Sequence, residues 1–308
     1  MKTIKLIKRE LKKIKLVRLI YFMFKEKFKN ISENKDINPA MYNPAMYNHN
    51  KSGISEHSYA KVLGTTKYIS IIYNYFNKQD TLFRSLDSIE KQELKFCSPE
   101  DIEVIIIDDG SPDNTPIVNS IPKNITYLWQ RKNGYGISRA KNTGARISNG
   151  KYLVFLDPDI LISPQFINNM LINLQNYGKN LVQSGYIHDY YFKGCPDPRT
   201  EFGVWEMPNR PTRRFYQLAG GCMAISRELF FQTTGFDEDL IYGGVEDILF
   251  GYYLEKLPDT QILFNRQMES WHIPHPPSGA HAEPMKSWDI VKRKCPDFYR
   301  KYVIEGLR

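Results

Sequence analysis

Two runs of consecutive apolar residues, Ile105-Ile106-Ile107 and Val154-Phe155-Leu156, each stop at aspartates. A strand apolar at every position presents greasy side chains to both faces and must be covered on both, as in a parallel sheet between helices. Tyr68–Tyr73, Glu103–Ile107, Ile125–Trp129 and Tyr152–Leu156 read as strands of this kind. Helical spacing separates them, over Asp80–Phe96 with Leu82, Leu86 and Ile89 on one side, and over Ser138–Ser148. Ser163-Pro164 reads as a helix start, a capping serine followed by proline in the first turn, and Val245–Leu257 as a later helix. The alternation predicts an α/β chain with a mostly parallel sheet flanked by helices. In such sheets ligands bind beyond the carboxyl ends of the strands. Asp108-Asp109-Gly110-Ser111 and Asp157-Pro158-Asp159 both stand at such ends.

Charge divides the chain differently. Residues 1–29 hold eleven Lys and Arg against Glu10 and Glu26, whereas the remaining 279 residues hold 31 basic and 32 acidic side chains. The net charge of +8 therefore belongs to one arm, and a nucleic-acid partner for the main body loses its electrostatic support. Within the arm, Ile4, Ile7, Leu11, Ile14, Val17, Tyr21, Phe24 and Phe28 recur at helical steps with cations between them. That pattern suits a helix lying on an anionic membrane surface, or one packed on a protein with a solvated basic face. Residues 30–66 read as a linker, in which Asn-Pro-Ala-Met-Tyr occurs in tandem at 38–42 and 43–47. A catalytic domain is expected over 67–280 and a helical tail over 281–308. Cys97, Cys195, Cys222 and Cys295 are too widely spaced for a CxxC pattern and read as reduced packing residues. With no apolar run of spanning length, the expectation is a cytoplasmic protein, peripheral at a membrane.

Two aspartates one residue apart, as in Asp157-Pro158-Asp159, can present oxygens to one hard cation that also holds substrate phosphates. Further along, Trp271-His272-Ile273-Pro274-His275 offers two more ligands, and Glu246-Asp247 a carboxylate pair at a helix start.

Taken in order, these motifs resemble a known family. Tyr68–Asn77, Ile107–Ser111, Asn142-Thr143-Gly144, Asn149–Tyr152 and Asp157–Asp159 are similar to the family-2 glycosyltransferases of the GT-A fold, a Rossmann-like architecture. Ala219–Ser226, Gly235–Glu238 and Gly243–Asp247 resemble the acceptor side of galactosyl- and N-acetylgalactosaminyl-transferring members. The resemblance covers roughly residues 67–280, and two positions depart from it: Tyr73-Asn74-Tyr75 after the first strand, and Val245 after the glycine pair.

The resemblance implies a metal-dependent, inverting transferase for polysaccharide biosynthesis. It would move a hexose or N-acetylhexosamine from a UDP-sugar to a hydroxyl of a glycan or lipid-linked glycan. Asp159 would bind Mn²⁺ or Mg²⁺, with His272 as a further ligand and His275 as its alternative. Asp157 would reach the ribose and the metal, Asp108 the nucleobase edge with Asp109 as helper, and Tyr75 would pack near the base. Arg139 and Lys141 straddle the basic position near the nucleotide. Asp247 would be the base and Glu246 would hold an acceptor hydroxyl. Gly220, Gly221, Gly243 and Gly244 would admit the sugar, with Trp205, Trp271 and Tyr242 as stacking surfaces. A retaining transferase and a catalytically silent sugar-nucleotide scaffold are the alternatives.

Overall fold

The computed structural model describes residues 67–113, 115–189, 210–213, 218–275 and 283–305. The basic arm, the tandem repeat, Cys195 and Trp205 lie outside the described residues. The chain divides into two compact units, and the boundary among the described residues falls between Ser287 and Trp288.

The larger unit begins with the expected alternation. It runs β1 (Ile69–Tyr75), α1 (Gln79–Glu90), β2 (Ile102–Asp108), α2 (Thr115–Ser120), β3 (Thr126–Trp129), α3 (Ile137–Ile147) and β4 (Tyr152–Leu156). It continues through β5 (Ile160–Ile162), α4 (Phe166–Tyr177), β6 (Leu181–Asp189), β7 (Cys222–Ser226), α5 (Arg227–Phe230), α6 (Glu246–Glu255) and β8 (Gln261–His272). A final helix, α7, spans Pro284–Lys294. Beyond the boundary, Trp288 stacks on Phe298 with centroids 6.1 Å apart and meets Tyr299 edge-on.

One eight-stranded sheet runs in the order β3-β2-β1-β4-β7-β6-β8-β5. The ladders β1–β2, β1–β4, β2–β3 and β6–β8 are parallel, whereas β4–β7, β6–β7 and β5–β8 are antiparallel. Both faces are covered, as the uninterrupted apolar runs require: every residue of β4 and β7 is buried. Cys222 is one of them, wholly buried, its Sγ accepting Ser270 Oγ at 3.6 Å.

The end of α1 and the start of α4 differ from the sequence expectation. α1 ends at Glu90 rather than Phe96, because the next amides turn to other partners: Glu93 N donates to Pro164 O at 2.9 Å and Lys95 N to Asn168 Oδ1 at 2.9 Å. α4 starts at Phe166, with no capping bond from Ser163 Oγ. The Phe166 amide donates instead to the Ser163 carbonyl at 3.0 Å, so the Ser163-Pro164 pair forms a turn ahead of the helix.

Register places the functional segments together. Tyr75 pairs with Asp108, and Asp108 with Trp129, so the carboxyl ends of β1, β2 and β3 are level. Leu156 closes β4 opposite Cys222, the first residue of the antiparallel β7, which sets Gly220-Gly221 beside Asp157. His272 closes β8 opposite Ile160, the residue after Asp159. Among the described residues, no helix is long and apolar enough to cross a membrane.

Candidate active site

The β4–β5 turn and the end of β8 meet at Asp159. Ile273 N donates to Asp159 O at 2.8 Å, which locks the two loops in register. Asp159 is 2% exposed, and its Oδ2 lies 2.7 Å from His275 Nε2 and 3.5 Å from His272 Nε2. One ligand atom from each of these residues fits within a 4.8 Å cluster. A buried carboxylate facing two imidazoles is a donor set that can hold a divalent cation, and its nitrogen content suits Mn²⁺ better than Mg²⁺. Both histidines join the cluster, with His275 the nearer to Asp159. Asp157 stands outside it and lies against Gly221, where an added Cβ would fall 2.2 Å from Asp157 Oδ2.

An open cleft lies next to this cluster, walled by Tyr75, Phe76, Lys78, Asp109, Lys132 and Asp157 among others. The two aspartates ending β2 have different surroundings. Asp108 is wholly buried, accepting the Ser111 amide at 2.7 Å and the Tyr127 hydroxyl, and burial pushes its carboxyl up to about 6. Asp109 lines the cleft, held by Gln130 Nε2 at 2.9 Å, Gly136 N at 2.9 Å and Lys132 Nζ at 3.1 Å. Lys132 also sits 3.7 Å above the centre of the Phe76 ring. The cleft wall thus carries Asp109 rather than Asp108.

The carboxylate pair opens α6. Gly243, Gly244 and Val245 precede it with φ of 71°, 75° and 63°. Glycine takes such backbone without penalty, whereas valine in the left-handed region costs on the order of 1–2 kcal/mol. The three residues swing Glu246 and Asp247 into the site in one tight turn. Asp247 Oδ1 accepts its neighbour's amide, Ile248 N, at 2.8 Å, and Oδ2 accepts Gly220 N at 3.2 Å. Glu246 is 7% exposed, and its Oε2 has no hydrogen-bond partner among the described residues. Burial first, then the adjacent Asp247 charge, pushes the Glu246 carboxyl up to about 7, and the ammonium of Lys141 opposes the rise. Lys141 is itself fully buried, donating to Gly220 O at 2.8 Å and lying 5.0 Å from the Phe236 ring centre. A side chain on Gly220 would come within 2.8 Å of Asp247 Cβ and 3.0 Å of Lys141 Nζ, so the close approach requires glycine.

The remaining residues are dispersed. Arg139 turns away and donates to Arg131 O at 2.7 Å, and among the described residues the cations of the cleft wall are Lys78 and Lys132. Trp271 stacks on His188 at 5.3 Å, and the Lys286 ammonium covers the Tyr242 ring at 5.1 Å. Sequence reasoning missed Lys78, Lys132 and Phe76. Their one signal was position, each lying in a loop directly after a parallel strand.

The family model described as Glycosyl transferase family 2 matches residues 70–234. The validoxylamine A glucosyltransferase of Streptomyces hygroscopicus subsp. limoneus is 27% identical over 281 residues, 79% of this chain and 59% of its own. Over 116 residues, the poly(ribitol-phosphate) beta-N-acetylglucosaminyltransferase TarP of Staphylococcus aureus is 35% identical, covering 37% of this chain and 33% of its own. The chain therefore spans about three-fifths of the first relative's length and a third of the second's. Among solved structures, S. aureus TarS 1-349 in complex with UDP-GlcNAc superposes with a TM-score of 0.58 at 18% identity, covering 75% of this chain and 66% of that one. GalNAc-T7 with UDP, GalNAc and Mn²⁺ gives a TM-score of 0.59 at 18% identity, covering 78% and 50%. The shared fold is GT-A.

Two measurements test the electrostatics of the carboxylate pair. Lys141→Met removes a charged hydrogen bond from a dry site and should destabilise the protein by about 2 kcal/mol in urea unfolding; an unchanged midpoint would contradict the buried contact. Glu246 holds its proton in the folded state up to about 7 but loses it near 4.5 when unfolded, so its burial costs stability as pH rises from 4.5 to 7 and by a constant amount above. Glu246→Gln should therefore raise the melting temperature relative to the parent more at pH 8 than at pH 4.5. An equal difference at both would refute the raised value.

Proposed function

The chain belongs to glycosyl transferase family 2, and from that premise we propose that it is a metal-dependent, inverting transferase. It moves a hexose or N-acetylhexosamine from a UDP-sugar to a hydroxyl of a glycan or lipid-linked glycan. The observation that carries this reading is one stretch of sheet edge that holds the Asp159–His272–His275 cluster and, through Asp157 and the Gly220-Gly221 backbone, leads to the Glu246–Asp247 pair. A UDP-sugar donor is supported by the likeness to TarS bound to UDP-GlcNAc and to GalNAc-T7 bound to UDP, GalNAc and Mn²⁺, and a hydroxyl acceptor on a polymer by the likeness to TarP, a poly(ribitol-phosphate) beta-N-acetylglucosaminyltransferase.

Asp159, His272 and His275 hold the cation, which when bound neutralises charge on the departing diphosphate as a Lewis acid. Tyr75 and Phe76 offer apolar surface to the base, and Asp109, fixed by three donors, presents its carboxylate to the nucleoside. Asp157 is set against the Gly220-Gly221 backbone between that cleft and the carboxylate pair, where it meets the ribose or the sugar. Asp247 is the half-buried member of the pair, accessible to an acceptor, and takes the hydroxyl proton as that oxygen attacks the anomeric carbon opposite the diphosphate. Glu246, neutral below about pH 7, spares the site a second negative charge and can donate a hydrogen bond to an acceptor hydroxyl. Lys141 sits behind both carboxyls and fixes Gly220. Residues 1–29 fit attachment to an anionic membrane where lipid-linked acceptors are found.

A panel of sugar nucleotides, scored for donor hydrolysis and transfer with and without Mn²⁺, tests the reading. Turnover should require a UDP-sugar and metal and should invert the anomeric centre. Asp247→Asn should lower kcat by at least 100-fold while UDP and Mn²⁺ still bind. Product retaining the donor's anomeric configuration, or full turnover by Asp247→Asn, would reject the base assignment.

A further inference from the structure

An ammonium already sits among the ligands of the proposed metal site. Lys78 Nζ lies 2.8 Å from Asp159 Oδ2 and 2.9 Å from His275 Nε2, and those two atoms are 2.7 Å apart, so the three form a nearly equilateral triangle. The contact is sheltered, with the Lys78 side chain 19% exposed and that of Asp159 3%. The backbone of Lys78 is fixed at the start of α1, where its carbonyl accepts Leu82 N at 3.0 Å and Thr81 Oγ1 at 3.1 Å. Its side chain, which also lines the donor cleft, is the part that can swing.

A divalent ion cannot share this arrangement. An imidazole nitrogen has one lone pair, which either accepts a proton from an ammonium or binds a metal. His275 Nε2 either accepts from the Lys78 ammonium or donates to Asp159 Oδ2, and neither contact survives ligation, which takes its lone pair for the metal. The geometry adds a charge constraint. An ion bonded at roughly 2.1 Å to both Asp159 Oδ2 and His275 Nε2 would lie within about 4 Å of the present Nζ position, whichever side it approached from. Two cations that close in a sheltered site repel strongly.

Resting on the metal reading proposed above, we infer that Lys78 is a built-in counter-cation: it holds Asp159 and His275 together without metal and must be displaced before metal binds. Its ammonium then turns toward the cleft, where the donor diphosphate is the anion within reach. Metal entry and donor binding thus draw on one side-chain movement, and Lys78 sets the metal affinity of the empty enzyme. This makes Lys78 a positioning residue.

The test is Mn²⁺ titration of the full chain by calorimetry without nucleotide, which reads binding independently of turnover. Lys78→Met and Lys78→Gln should each bind Mn²⁺ at least tenfold more tightly than the parent. Lys132→Met, which removes the other ammonium of the cleft wall, should stay within about twofold of the parent. Unchanged or weaker affinity in both Lys78 variants, with the parent binding Mn²⁺ through Asp159, would overturn the inference and leave the metal site standing. Equal tightening in Lys132→Met would reduce the effect to general field and also overturn it. Failure of the parent and every variant to bind Mn²⁺ would overturn the metal reading itself, and the inference with it.

Discussion

The antiparallel pairing of β7 against β4 is the constraint on which the site depends. Three parallel ladders bring the carboxyl ends of β1, β2, β3 and β4 to one edge, but a purely parallel sheet would supply only loops that follow those strands. By running the other way, β7 presents the residues that precede it, Gly220 and Gly221, to the same edge. Their lack of side chains lets Asp157, Asp247 and Lys141 close around the backbone within contact distance. A single Cβ at either position would displace a charged group, so the strand direction and the glycine pair act together.

Two kinds of buried charge follow from that closure. Behind the glycines, Lys141 is wholly enclosed with Glu246 and Asp247 nearby, and burial first, then the Asp247 charge, raises the Glu246 carboxyl to about 7 against the pull of the ammonium. At the β4–β5 turn, the buried Asp159 carboxylate faces the Lys78 ammonium, which also contacts His275 Nε2. One centre holds a raised carboxyl beside a buried ammonium, the other a buried carboxylate beside a sheltered one. Both solutions come from side chains on loops, while the sheet fixes only where the backbone lies.

Much of this was readable from residue order. The apolar runs predicted β2 and β4 and their burial, with the aspartates at the strands' carboxyl ends, because strand period and the position of loops are local properties of the sequence. The histidines were recognisable as a pair, but which of them faces Asp159 more closely depends on the antiparallel registry of β5 and β8, two strands more than a hundred residues apart. The resemblance ranked Asp108 ahead of Asp109, whereas the cleft wall carries Asp109. Which one turns inward is decided by the end of β2 and by Tyr127 on β3, whose hydroxyl takes the first aspartate out of the cleft. Arg139 and Lys141, two residues apart on α3, likewise differ by helix face: one meets the loop carbonyl of Arg131, the other the backbone of Gly220.

Lys78 shows the limit of motif reading most clearly. In sequence it is one lysine among many, just before a helix, and a solvated cation there is the ordinary expectation. Its role arises from a distance of 81 residues to Asp159 and 197 to His275, closed by β1 lying beside β4 and by β8 returning to β5. Those ladders determine that a flexible cation, a carboxylate and an imidazole share one sheltered point. Once they do, the valence of the imidazole nitrogen makes occupancy exclusive: the lone pair serves the ammonium or an incoming ion. The metal affinity of such a site is then a difference between two cations competing for the same atoms, and the fold supplies one of them permanently.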